Sequence, residues 1–423
     1  MKIRIRRTGQ GRFQWFCAMM ALFFVSSFAL LEDVSISIPA FSSLKFPILY
    51  AGAAFLLPHI NLYLRNVLKK KYFYILCIVM LLCAMLALDM WQNQSPSLGS
   101  NPMRSTVRLI LFLVELFLLA ILISETGSLK SALNLLYWYT LVLVIITDFL
   151  LLTRLVTFRS ATNYENYLLG TKFSTVYTHM YLLALWMMRR KDGKKQNGWQ
   201  NWFYSIMVLL FLVVSIRVDC MTGVLGFLLL LALHWISNIH QRRMSVMFSS
   251  PAMLTLSLIA SILFPFIAER IVSIPTVTYL IQEVLGRELN LTGRMAIFQN
   301  YGRQMGDYWM WGVGYGNGNT AAEWMFRCAN AQNALLHWIL QIGIPTTIVV
   351  TVLFVAVFHQ LSRYGRRNEI MPIVLLLYVF LIMGMVETTM NMCFFLWITL
   401  IFVHVNEKRS PAPEYNSDSP GKG

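Results

Sequence analysis

The chain has 423 residues, 57% of them apolar and 13% charged, with a mean hydropathy of +0.60 and a formal net charge of +16. A soluble fold of this length has no use for so much apolar surface, so the composition excludes an ordinary soluble enzyme. The positive charge first suggests a nucleic-acid partner, but it falls in alternate short loops between apolar runs, which excludes that reading.

Twelve apolar stretches follow in chain order, at 13–31, 44–62, 73–90, 107–124, 132–152, 172–188, 202–217, 221–238, 251–268, 335–358, 371–387 and 391–405. A helix needs about 20 apolar residues to cross a bilayer. Leu, Ile, Phe and Met dominate and period-2 alternation is absent. This predicts an all-α, polytopic transmembrane helical bundle of about 12 spans rather than a β-barrel. The first stretch follows Lys2, Arg4, Arg6, Arg7 and Arg12 and imitates a signal peptide. No convincing small-x-small cleavage site follows, so it reads as a retained signal-anchor.

Basic clusters at the N-terminus, 65–71, 189–195, 242–243, 363–367 and 408–409 all fall on one side of a twelve-span chain. The positive-inside rule makes that side the cytoplasm. It holds 23 of the 35 Lys and Arg residues and both termini. The expected organisation is spans 1–9 in 1–268, a large extracytoplasmic loop at 269–332, spans 10–12 in 333–405, and a disordered cytoplasmic tail at 406–423. The six cysteines form no CxxC pair and read as packing residues, with Cys220 and Cys328 the two that could meet outside.

The long loop is the natural place for chemistry, because polar groups are expensive inside the spans. Thr292 is positioned to cap a helix from Gly293 to about Trp311. At 100° per residue, Met295, Phe298, Met305 and Trp309 share one face, and Gln299, Asn300, Arg303 and Asp307 the other. Such an amphipathic helix suits the membrane surface, with Arg303 directed away from the lipid. The run Trp311-Gly312-Val313-Gly314-Tyr315-Gly316-Asn317-Gly318 is too glycine-rich for helix and reads as an anion-binding backbone or a flexible turn.

Twelve basic residues fall on the outer side, ten of them arginine, including Arg154, Arg159, Arg217, Arg287, Arg294 and Arg303. Guanidinium binds phosphate and carboxylate through paired hydrogen bonds, so the pattern points to an anionic, lipid-linked ligand; structural pairing with nearby carboxylates is the alternative. Arg217 and Asp219 lie in a short turn, and Glu387 is expected at the outer end of a span, where an ionisable group is functional or makes a packing hydrogen bond. Asp89 and Asp148 read as interface residues. Metal-ligand spacings, P-loop and Rossmann fingerprints are lacking, so no metal or cofactor is expected.

The late loop, Thr292-Gly293-Arg294 through Gly312-Val313-Gly314-Tyr315-Gly316, resembles that of the Wzy-type polysaccharide polymerases and the related O-antigen ligases. Asn330-Ala331-Gln332-Asn333, with Gly343-Ile344-Pro345 beyond it, resembles their loop-to-span signature. The polymerases often carry Arg, ten residues, Gly in each of two outer loops; Arg159 with Gly170 and Arg303 with Gly314 have that spacing. The ligases have a His before the signature Asn, where this chain has Gln332.

The resemblance implies a metal-independent glycosyltransferase in the bacterial cytoplasmic membrane. Its donor would be a polyprenyl-diphosphate-linked oligosaccharide, and the lipid bilayer, a chain-length regulator and a flippase would be its partners. Arg159, Arg294 and Arg303, with Arg217 behind them, would neutralise the departing diphosphate, and Glu387, ahead of Asp219 and Glu323, would take the acceptor proton. Arg154, Gly170, Arg217, Asp219, Gly312, Gly314, Tyr315, Gln332 and Asn333 would bind substrate. A ligase-like glycan transferase and a repeat-unit transporter are the alternative readings; a transporter is expected to show repeated halves.

Overall fold

The computed structural model describes residues 9–93, 101–156, 158–159, 165–190, 198–279, 282–283, 294–364 and 367–407. Thr292, Gly293, Arg287 and the tail from Ser410 to Gly423 lie outside these residues. The regular secondary structure of the described residues is helix apart from one ladder of two-residue strands, Phe158–Arg159 against Glu165–Asn166. Helical segments overlap each of the twelve predicted stretches, but the one over 371–387 ends at Met383 and the one over 44–62 is broken into 3₁₀ and α pieces. Among the described residues, eight helical stretches are long and apolar enough to cross a membrane, and the apolar helices over 202–217 and 392–406 are shorter. The result is a helical bundle of the membrane-spanning type, as a chain must be when hydrocarbon offers its backbone no hydrogen bonds.

Local chemistry sets the helix ends. Asn101 caps Pro102–Thr126 by accepting the Arg104 N–H, and Gly127 at φ 59° closes it. Asn333 and Asn391 cap Ala334–Arg363 and Met392–Asn406 in the same way. The Gly343-Ile344-Pro345 element breaks the long Ala334–Arg363 helix: Gly343 adopts φ 71° and the backbone of Met310 lies against it. That break frees the Leu340 carbonyl, which accepts the N–H of Val313 from the late loop at 2.9 Å. Any Cβ at Gly343 would collide with the Met310 backbone, so the glycine admits the loop to the bundle.

The late loop is built on this seam. Its helix runs Arg294–Met305, and a 3₁₀ turn, Gly306–Trp309, replaces the remainder of the expected helix; Gly306 at φ 43° marks the change. The buried face is Ile297, Phe298, Tyr301 and Met305, packed with Ala268, Leu336 and Leu340. The apolar face therefore covers protein, where the sequence pattern suggested membrane surface. Tyr301 is fully buried, donates to the Leu336 carbonyl at 2.5 Å and stacks on Phe326.

Side-chain contacts define two polar ends. At one, Lys71 meets Glu125 and the Asn406 carbonyl, and Glu407 accepts the Leu129 N–H. At the other lie Glu32, Lys172, Asp219, Arg294, Asn333 and Glu387. Asp89 and Asp148 are buried within the bundle. Asp148 pairs with His179 at 3.1 Å beside a cavity of about 330 Å³ between the Leu129–Thr153, Lys172–Arg190, Gly198–Arg217 and Met221–Ile239 helices. Cys220 and Cys328 are free thiols, not a disulfide.

Candidate functional site

The site forms around eight residues of irregular backbone, 384–391, between the last two helices. The preceding helix, Arg367–Met383, stops four residues short of Glu387, which therefore lies outside the helix that was expected to carry it. Irregular backbone at the rim of a membrane bundle must find partners within the protein. The Gly384 carbonyl accepts the Ala334 N–H at 2.8 Å, Met385 accepts from Asn333 Nδ2 at 3.2 Å, and Met390 accepts from Trp338 Nε1 at 2.7 Å. The segment is thus sewn to the start of the Ala334–Arg363 helix.

Arg294, the first residue of the loop helix, completes this arrangement. Its Nε donates to the Val386 carbonyl at 2.8 Å and to Gln332 Oε1 at 3.0 Å, and its Nη2 forms a tight ion pair with Glu387 Oε1. The Glu387 side chain is 3% exposed and that of Arg294 18%. Burial pushes the Glu387 carboxyl up to about 7, against the opposing pull of Arg294 and Lys172. Lys172, at the start of its helix, donates to the Asp219 carbonyl at 2.9 Å. Tyr177 lies one turn along the same helix, within electrostatic reach of Glu387 and Arg294. Its hydroxyl is buried and has no hydrogen-bond partner among the described residues.

Of the residues singled out from sequence, Arg294, Gln332, Asn333 and Glu387 come together here. Asn333 is spent on architecture: its Oδ1 caps Leu336, and its Nδ2 bonds Ser261 and Met385 carbonyls. Glu387, expected as a proton acceptor, is the counterion of Arg294. Arg303 is nine residues beyond Arg294, hence on the opposite face of the helix, and is exposed. Arg154 and Arg217 are exposed, and Asp219, at φ 49°, contributes its carbonyl to Lys172. Arg159 lies opposite Glu165 in the short ladder.

The glycine run is a packing device. The Gly312 N–H donates to the Tyr308 carbonyl and the Gly316 N–H to Gln341 Oε1, so neither is offered to an anion. A Cβ at Gly312 would come within 2.5 Å of the Gln341 backbone, and one at Gly314 within 3.0 Å of Pro102. Tyr315 is turned toward a second polar group that sequence reasoning missed.

That group is the turn Glu32–Asp33 after the first helix. Asp33 Oδ2 accepts a tight hydrogen bond from the Ser174 hydroxyl, and Glu32 Oε2 accepts the Met392 N–H at 3.3 Å. Gly170, at φ 93°, presses on the Asp33 backbone, where any Cβ would collide. Lys45, Arg108 and Tyr315 lie within electrostatic reach of Glu32. Burial pushes the Glu32 carboxyl up to about 7 and raises Asp33, with Lys45 opposing both shifts. The only sequence signal was two adjacent carboxylates directly after the first apolar run. No protein-family model matches this chain, and no curated protein does.

Proposed function

We propose that this chain is a Wzy-like polymerase, joining polyprenyl-diphosphate-linked oligosaccharide repeat units into a surface polysaccharide on the outer face of the cytoplasmic membrane. The observation that carries the reading is the Arg294–Glu387 pair at the rim of an apolar bundle, with Lys172 beside it. Two acceptors fix the Arg294 Nε edge, so the guanidinium keeps its orientation when its Nη2 partner changes. In this reading the donor diphosphate displaces Glu387 from Nη2 and takes paired hydrogen bonds there. The acceptor hydroxyl attacks the anomeric carbon, and the diphosphate leaves against Arg294 and Lys172. Poor solvation at a membrane rim strengthens that stabilisation. Gln332, in the position where the ligases carry His, orients Arg294 and takes no proton.

The test is direct. The purified protein in lipid, given polyprenyl-diphosphate repeat units isolated from the cells that carry it, is expected to yield products forming a ladder spaced by one repeat unit. A single unshifted band from folded protein would end the polymerase reading and send attention to transfer onto other acceptors, or to transport.

A further inference from the structure

We propose that the Glu32–Asp33 turn, with Lys45, Arg108 and Tyr315, is a carbohydrate subsite that binds the terminal sugar of the acceptor, and that Glu32 takes the proton of its attacking hydroxyl. The inference rests on the transferase reading above.

Four half-buried charges share this place, two acidic and two basic, and no ion pair joins them among the described residues. The Glu32 carboxylate accepts one hydrogen bond, from the Met392 main-chain N–H through Oε2, which leaves Oε1 open. Arg108 bonds only its own helix, at the Arg104 carbonyl and the Ser105 hydroxyl, and its guanidinium lies over the Phe46 ring. Half-buried charges with no opposite charge joined to them are costly unless something else answers them. A phosphate would suit Lys45 and Arg108 and be repelled by Glu32 and Asp33. A neutral polyol suits all four, because each hydroxyl donates to a carboxylate and accepts from an ammonium or guanidinium. Tyr315, whose ring sits 6.0 Å from that of Trp338, adds an aromatic surface.

The turn is also built to hold its shape. Gly170 and Ser174, just before and just inside the start of the Lys172–Arg190 helix, and the Met392 N–H, from the last helix, reach it from two separate segments. Two links put it next to the Arg294 site. Ser174, which holds Asp33, is one helical turn from Tyr177, which feels Glu387 and Arg294. The 384–391 segment meets Arg294 through Val386 and leads directly into Met392, which meets Glu32. A donor diphosphate at Arg294 and an acceptor sugar at Glu32 would therefore be neighbours.

The chemistry balances without a metal or further reagent. The acceptor oxygen forms a bond to the donor's anomeric carbon while the bond from that carbon to the diphosphate oxygen breaks. The electron pair leaves with the polyprenyl diphosphate, and the hydroxyl proton passes to the Glu32 carboxylate and on to water. The groups facing Glu32 are Asp33, Lys45, Arg108, Tyr315 and Cys393.

The experiment follows turnover of the lipid-linked repeat unit by the full chain in lipid, at a series of pH values, with donor affinity measured separately. Glu32→Gln is expected to slow transfer about 100-fold or more. It should also remove a limb on which wild-type activity rises with pH through about 7, while leaving donor affinity within twofold. Glu387→Gln removes the carboxyl beside Arg294, which burial also pushes up to about 7, and should keep that limb. Should Glu32→Gln not fold, Glu32→Asp keeps a carboxylate and should retain the limb at reduced rate. Saturation-transfer NMR with the lipid-free repeat oligosaccharide should show binding to wild type and its loss in Lys45→Met. A wild-type ladder with Glu32→Gln turning over within threefold at every pH would overturn the subsite alone. No wild-type ladder at all would overturn the transferase reading beneath it.

Discussion

At one polar end of the bundle, Glu125 sits between Lys69 and Lys71 at 3.7 and 3.4 Å, and Lys71 also reaches the Asn406 carbonyl. At the other, Glu32 and Asp33 face Lys45 and Arg108 without an ion pair among the described residues. The same residue types are matched to one another in the first case and held apart in the second. Matched charge at the Glu125 end closes helix termini together and is explained by stability. Charge held near its opposite but not joined to it is what the proposed sugar subsite requires. The Arg294–Glu387 pair is intermediate: joined, but with Arg294 anchored so that its partner can be exchanged.

The sharpest way to break this comparison is Arg294→Ala, which should lower transfer about 1000-fold, with Arg294→Lys nearly as damaging because it lacks the planar fork. A Glu387→Gln variant should lose about 3 kcal/mol of stability, read as a fall in the unfolding midpoint in lipid, because Arg294 stays half-buried without its counterion. Gly170→Ala should cost about 2 kcal/mol through φ strain and collision with Asp33, and should lower acceptor affinity with it. At the matched end, Glu125→Gln should cost about 1–3 kcal/mol in the same unfolding measurement and leave turnover per folded molecule unchanged. Equal losses of turnover from Glu125→Gln and Glu32→Gln would erase the distinction. The smallest effect is expected for Arg303→Ala: stability within about 0.5 kcal/mol and turnover within about twofold.

That last expectation shows where sequence reading stops. Helix positions were legible because span length and apolar composition are local properties. The Arg294, Gln332, Asn333 and Glu387 set was legible in part, through a loop-to-span pattern and an ionisable residue near a span end. The sequence did not reveal that Glu387 would leave the helix. The 371–387 stretch stays apolar through Met383-Gly384-Met385-Val386, and it is where that backbone leaves the helix that it meets Ala334, Asn333 and Arg294. Arg303 carried weight through its spacing to Gly314, but helix periodicity turns it from Arg294. Glu32 and Asp33 belong to no motif legible in the sequence, because their contacts come from residues 137 or more positions away: Gly170, Ser174 and Met392.

The most direct test of the central claim is the affinity of the lipid-embedded protein for polyprenyl diphosphate, compared across wild type, Arg294→Ala and Arg303→Ala. Saturable binding that weakens about 100-fold in Arg294→Ala and is unchanged in Arg303→Ala is the predicted result. Equal binding by wild type and Arg294→Ala would contradict it, and would leave the Arg294–Glu387 pair as one more structural contact.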